Sequence, residues 1–154
     1  MTEEPETATA FHRRCYPLGG PDWLEKFQQE AQLLLDKAPG AMRNAKWSVI
    51  EQFDNAPAKT RTADGVEAGY VMTIHGGKVA VRPGVRPDDK APVRITLDWT
   101  AACELAGLPS GPELRAATAR HVKAGRIRSK GDLATAPISF PDLHDRMVSW
   151  TQRP

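Results

Sequence analysis

Cysteine is scarce in this 154-residue chain: Cys15 and Cys103 are the two present, far apart and in unrelated surroundings. Such a pair offers neither a disulfide framework nor a metal-ligand spacing, so both read as free thiols in a reducing, cytoplasmic compartment. Long apolar runs are missing as well, and none approaches the ~18 residues that a membrane-spanning helix requires. The opening Met1-Thr2-Glu3-Glu4-Pro5-Glu6 has neither the basic nor the apolar region of a secretory leader, so export is not expected. There is no excess of one charge. Against 21 basic residues stand 19 acidic ones, a net +2 that gives no reason to expect nucleic acid as a partner. Signatures of catalysis and nucleotide binding are absent too: no G-x-S-x-G, no G-x-x-x-x-G-K and no glycine-rich dinucleotide loop. His12, His75, His121 and His144 fall in four different segments without H-x-x-x-H spacing, so neither a metal nor another cofactor is expected.

What is present suits one domain with a core. Hydrophobic residues make up 40% of the chain and include four Trp and four Phe, enough apolar surface to set global disorder aside. Residues 1–20 carry Pro5, Pro17, Gly19 and Gly20 and read as a loosely docked tail before a domain over 21–154. A first helix starts at Pro21-Asp22, with Leu24, Phe27, Ala31, Leu34 and Leu35 forming a stripe until Pro39-Gly40. The period then becomes two. Over 46–54, Trp47, Val49 and Phe53 share one face, which also places Glu51 on the apolar side unless a bulge turns it outward. Segments 66–75 and 78–82 flank Gly76-Gly77 as a hairpin, and Val93, Ile95, Leu97 and Trp99 alternate with polar residues in a fourth strand.

Beyond Asp98, which is placed to cap the next helix, a short helix runs over 100–106 and stops at Gly107. Ser110-Gly111-Pro112-Glu113 has the spacing of a capping box for a helix reaching about residue 124, with Leu114, Ala117, Thr118 and Val122 inward. A last strand over 126–131 precedes Pro137 and Pro141, and then comes a helix with the stripe Phe140, Leu143, Met147 and Trp150. Hairpins with helices gathered at either end give an α+β fold, its sheet mainly antiparallel and covered on one face.

Three segments resemble the sterol carrier protein type 2 family. They are the strand pair over 70–84, the strand 93–100 running into a short helix that ends at Gly107, and Gly125-Arg-Ile-Arg-Ser-Lys-Gly-Asp132 after a helix introduced by Pro112. The resemblance implies a five-stranded sheet with helices packed on one face around an apolar tunnel that takes fatty acyl chains, sterols or similar hydrophobic molecules. The chain departs from the family pattern where Pro137 and Pro141 delay the final helix, and it ends Gln152-Arg153-Pro154 with no peroxisomal tripeptide.

On this reading Trp47, Val49, Met72, Ile74, Leu97 and Trp99 of the strands either fill the core or line the tunnel. The same choice applies to Leu114, Val122, Ile127, Leu143, Met147 and Trp150. Carriage of an apolar ligand is the first functional expectation. The alternative is an enzyme using the same tunnel for isomerisation, cyclisation or hydrolysis, with Glu51, or His121 with Tyr70, as acid–base candidates. His121 also reads as a satisfied histidine at the margin of a helix, and Cys103 as a small buried thiol. The basic cluster Arg115, Arg120, Lys123, Arg126, Arg128 and Lys130 reads as a solvated face, or as a contact for an anionic membrane or an acidic partner. The terminal helix, flanked by prolines, is expected to be a hinged lid whose removal leaves the sheet folded.

Overall fold

The computed structural model describes residues 15–60 and 66–152. In chain order the helices are α1 (Pro21–Asp36), α2 (Gly40–Arg43), α3 (Trp99–Ala106), α4 (Pro112–Lys123) and α5 (Phe140–Val148). The strands are β1 (Trp47–Asp54), β2 (Glu67–His75), β3 (Lys78–Val85), β4 (Val93–Asp98) and β5 (Ile127–Lys130). They form one sheet in the order β3-β2-β1-β4-β5. The pairs β1–β2, β2–β3 and β4–β5 are antiparallel, while β1 and β4 run parallel, so the sheet is mixed and mainly antiparallel.

Local chemistry accounts for most boundaries. Pro21 occupies the first turn of α1, where its missing N–H costs nothing. Asp98 caps α3 by accepting from the Thr100 N–H at 3.1 Å, and Ser139 does the same for α5 through Asp142 at 3.2 Å. The capping box expected at Ser110 does not form. Gly111 is the residue before α4, and the Ser110 N–H instead donates to Asp145 at 2.7 Å, because Pro112 already opens the helix.

Two glycines are required by close backbone approach. Gly69, at φ 137°, sits in the bulge of β2, where a Cβ would collide with the Glu51 carbonyl. Gly131, at φ 83°, stands against the Pro92 carbonyl at the end of β5, and Asp132 after it accepts from the Ala134 N–H at 2.9 Å. The Gly-Asp pair is thus a sharp turn followed by a cap.

The helices divide the sheet unevenly. Over β1, β2 and β3, α1 packs tightly, and Ala31, Leu35, Val49, Met72 and Ile74 are almost wholly buried. Its Gln28 and Gln32 reach the edge strand, accepting from the Val81 and Val79 N–H groups at 2.7 and 2.8 Å. The edge is thereby closed to other strands. Over β4 and β5 the cover is looser, and the space beneath α3, α4 and α5 is hollow.

Two expectations about the ends change. Residues 15–20 belong to the fold: Leu18 is buried, and Tyr16 bridges to Thr151 through Tyr16 N–H to Trp150 O and Gln152 N–H to Tyr16 O, both 2.8 Å. The rest of the expected tail, 1–14, lies outside the described residues. The helix α5, expected to be a hinged lid, is tied down on several sides. Ala136, Pro137 and Ile138 are themselves buried, Arg146 pairs with Glu30 at 2.9 Å, and His144 bonds the Leu108 carbonyl at 2.6 Å.

Candidate functional site

The hollow is a cavity of about 540 Å³. Its floor is the helix-side face of the sheet, with Glu51 and Phe53 on β1, Tyr70 on β2 and Val93, Ile95 and Leu97 on β4. Trp23 and Phe27 of α1 close one side and Leu143 and Met147 of α5 another. The open side lies between α4, which presents Leu114, Thr118 and Val122, and the β5 region, which presents Ile127, Ser129 and Leu133. Val122 is 51% exposed; an apolar side chain left in water at the rim of an apolar cavity marks the mouth.

Of the apolar positions expected to line a ligand site, Leu97, Leu114, Val122, Ile127, Leu143 and Met147 lie on the wall of this cavity. The other six are elsewhere. Val49, Met72 and Ile74 fill the tight half beneath α1. Trp47 packs on Phe140 with ring centroids 5.7 Å apart and donates from Nε1 to Thr135 at 2.9 Å. Trp99 meets Phe53 edge-on, and Trp150 stacks on Tyr16 at the outside, where Lys26 Nζ lies 4.0 Å from its ring centroid. Period-two and helical patterns place all of these on the covered face, yet they cannot say which half of that face is hollow. The lining residues Leu18, Trp23 and Leu133 carry no such mark in the sequence, because they come from a supposed tail, the first turn of a helix outside its stripe and a loop, and Phe27 is in a stripe that reads as plain cover.

Glu51 points into the cavity. The register Glu51↔Tyr70 is regular in β1, so the bulge that would have turned it outward is not there; the irregularity lies in β2, beyond Tyr70. Glu51 is half-buried, and the surface it keeps faces the cavity and not bulk water. Loss of hydration raises its carboxyl from the usual 4.5 to about 7, and a hydrogen bond from the Tyr70 hydroxyl offsets only part of that. Tyr70 is pushed well above its ordinary value by its own burial and by the neighbouring carboxylate, so its phenol stays protonated as a donor to Glu51.

His121 does not reach the cavity. It is buried beside α3, where Arg126 Nε donates to its Nδ1 at 2.8 Å and its Nε2 meets Glu104 at 2.7 Å. With Nδ1 accepting, the proton sits on Nε2, and both ring nitrogens are satisfied. The His121 bond, then that of Arg120 at 2.7 Å, holds the Glu104 carboxyl below its usual range. His121 and Tyr70 are therefore not brought together. Cys103 is half-buried, and burial raises its thiol, which leaves it unreactive. Among the described residues, no three His, Cys, Asp or Glu side chains converge as a metal site.

The basic cluster divides. Arg120 pairs with Glu104, Arg126 with His121, and Arg128 with Asp54 at 2.9 Å. Arg115, Lys123 and Lys130 project from the same elements that frame the mouth. No helix among the described residues is long and apolar enough to cross a membrane.

No protein-family model and no curated protein matches this sequence. Solved structures do. The conserved hypothetical protein TT1886, "possibly sterol carrier protein", from Thermus thermophilus superposes with a TM-score of 0.50 at 16% identity, covering 92% of this chain and 97% of that one. A crystal structure of sterol carrier protein 2 gives a TM-score of 0.48 at 15% identity, over 88% of this chain and 99% of that one. The ubiquinone synthesis protein UbiJ-SCP2 gives 0.45 at 10%, over 96% and 95%. At such identities the likeness is one of fold, and the fold is sterol carrier protein 2-like.

Proposed function

We propose that this sterol carrier protein 2-like domain binds or carries an apolar small molecule, such as a fatty acyl chain, a sterol or a hydrophobic metabolite of similar size, and that its cavity serves as the ligand tunnel. One observation carries the reading: a cavity of about 540 Å³, within the ~300–1,000 Å³ range of small-molecule sites, walled mostly by apolar side chains and open at one rim. The fold agrees with it but does not by itself assign a ligand. Transient docking of the mouth on an anionic membrane, through Arg115, Lys123 and Lys130, would bring such a cargo within reach. Native mass spectrometry of protein purified from cells tests the reading. A co-purifying apolar adduct, or uptake of acyl or sterol probes by the empty protein, is expected; an empty protein that takes up none of them would overturn it.

The enzymatic alternative has one observation in its favour, a carboxyl at the cavity floor that titrates near 7. Product formation from a bound hydrophobic substrate, abolished by Glu51→Gln, would distinguish catalysis from carriage.

A further inference from the structure

The polar content of the cavity is lopsided. Among the described residues, no Lys or Arg lines it. On its floor is Glu51, and the partner there is the buried Tyr70, whose hydroxyl donates to the carboxylate. An ionised carboxylate accepts only, at about four lone-pair positions, and Tyr70 occupies one of them. The remaining acceptor capacity faces the hollow. Tyr70 in turn belongs to a cluster of aromatic rings that also line the cavity: Trp23 and Phe27 with centroids 5.0 Å apart, Phe27 and Tyr70 at 4.9 Å, and Trp23 and Tyr70 at 6.2 Å. A carboxylate with no cationic partner among the described residues, bonded to one of three clustered aromatic side chains in the same cavity, is the chemistry that recognises an ammonium group, through a charge-assisted hydrogen bond and the attraction of a cation to aromatic rings. A carboxylate or phosphate head at this depth would find no counter-ion and would face Glu51.

Resting on the reading of the cavity as an apolar ligand site, we propose that its cargo is a hydrophobic amine, bound with its protonated nitrogen against Glu51 and the Trp23, Phe27 and Tyr70 rings and its apolar body toward the mouth. The other ionisable groups near this end are accounted for. His144 lines the cavity from α5 with Nε2 on the Leu108 carbonyl, Asp132 sits at the mouth, and Glu30 of α1 is held by Arg146. A primary alkylamine stays protonated up to about pH 10, so Glu51 is the group that sets the pH dependence. Affinity rises as Glu51 ionises and falls, by up to about tenfold per pH unit, as it is protonated.

Displacement of the neutral dye Nile red by dodecylamine, dodecanol and dodecanoate, each below micelle formation, tests this in the full chain. At about pH 8 the amine is expected to bind roughly tenfold or more tighter than dodecanol and tighter still than dodecanoate, with the margin over the alcohol closing at about pH 5. In Glu51→Gln, which removes a buried charge and keeps the shape, the amine's advantage and its pH dependence should both vanish while dye and dodecanol still bind. An alcohol that matches the amine, a preferred carboxylate, or a pH dependence that survives Glu51→Gln would overturn the proposal and leave the cavity an apolar site. If neither the dye nor any of the three enters, the broader reading fails and this one with it.

Discussion

A carboxyl on the wall of an apolar cavity carries a cost whose size depends on pH, and Glu51 carries it here. Its folded value of about 7 lies above the 4.5 expected when the chain is unfolded. The folded protein therefore binds more protons than the unfolded chain between those values, and stability falls as pH rises from 4.5 to 7. Below 4.5 both states are protonated and Glu51 subtracts nothing; above 7 the penalty is complete, on the order of 3 kcal/mol. Glu51→Gln should accordingly stabilise the protein by up to that amount at about pH 8 and hardly at all at about pH 4. Urea unfolding at the two pH values measures it, and equal gains at both would remove the assignment. Glu51 was legible in the sequence as a charge on the wrong face of a strand. That Tyr70 would be its partner was not, because which residue of β2 stands opposite depends on the register of β1 against β2, and these strands are joined by a loop over 55–66 and not by a two-residue turn that would fix it.

Element by element, period and punctuation serve well where structure is local. Pro21, Gly76-Gly77, Asp98 and Gly107 mark real boundaries, since each acts on the backbone beside it. Long-range placement is what they miss. Gln28 and Gln32 look like two solvated positions on a helix, but i and i+4 on α1 match i and i+2 on an edge strand, and they complete the hydrogen bonds of Val79 and Val81. Replacing either by Ala should cost about 1 kcal/mol, and both together about twice that, in denaturant unfolding. Losses near zero would mean that water serves the edge as well. The same blindness produced the hinged lid. Pro137 and Pro141 do interrupt the chain, but Ala136, Pro137 and Ile138 ahead of α5 are buried, and Trp23 Nε1 donates to Thr151 at 2.9 Å just beyond it. Deleting residues 139–154 should therefore lower stability by several kcal/mol, through exposure of the surfaces that Leu143 and Met147 cover, and not merely speed ligand release. A truncated protein with an unchanged melting temperature would restore the lid.

At the scale of the molecule, the decisive feature is that one helix layer covers two unlike halves of a sheet. Beneath α1 the strands carry Val49, Met72 and Ile74 against a continuous helical stripe, and nothing is left open. Beneath α3, α4 and α5 the facing positions are Ala102, Ala106 and Thr118 with Leu114 and Leu143, and these side chains leave about 540 Å³ between themselves and β4. Composition could suggest generous apolar surface but not where it fails to close, because a cavity arises from the difference between facing volumes across elements distant in sequence. Whether that space is a binding site is tested most directly by photolabelling the protein with a fatty chain that carries a diazirine near its end and mapping the modified residues by mass spectrometry. Label concentrated on the peptides that contain Ile95, Leu97, Leu114, Ile127 and Leu143, and lost on competition with an excess of unlabelled chain, is the expected result. Label spread over outward positions such as Leu33 and Met42, which are 47% and 41% exposed, and indifferent to competitor would contradict it.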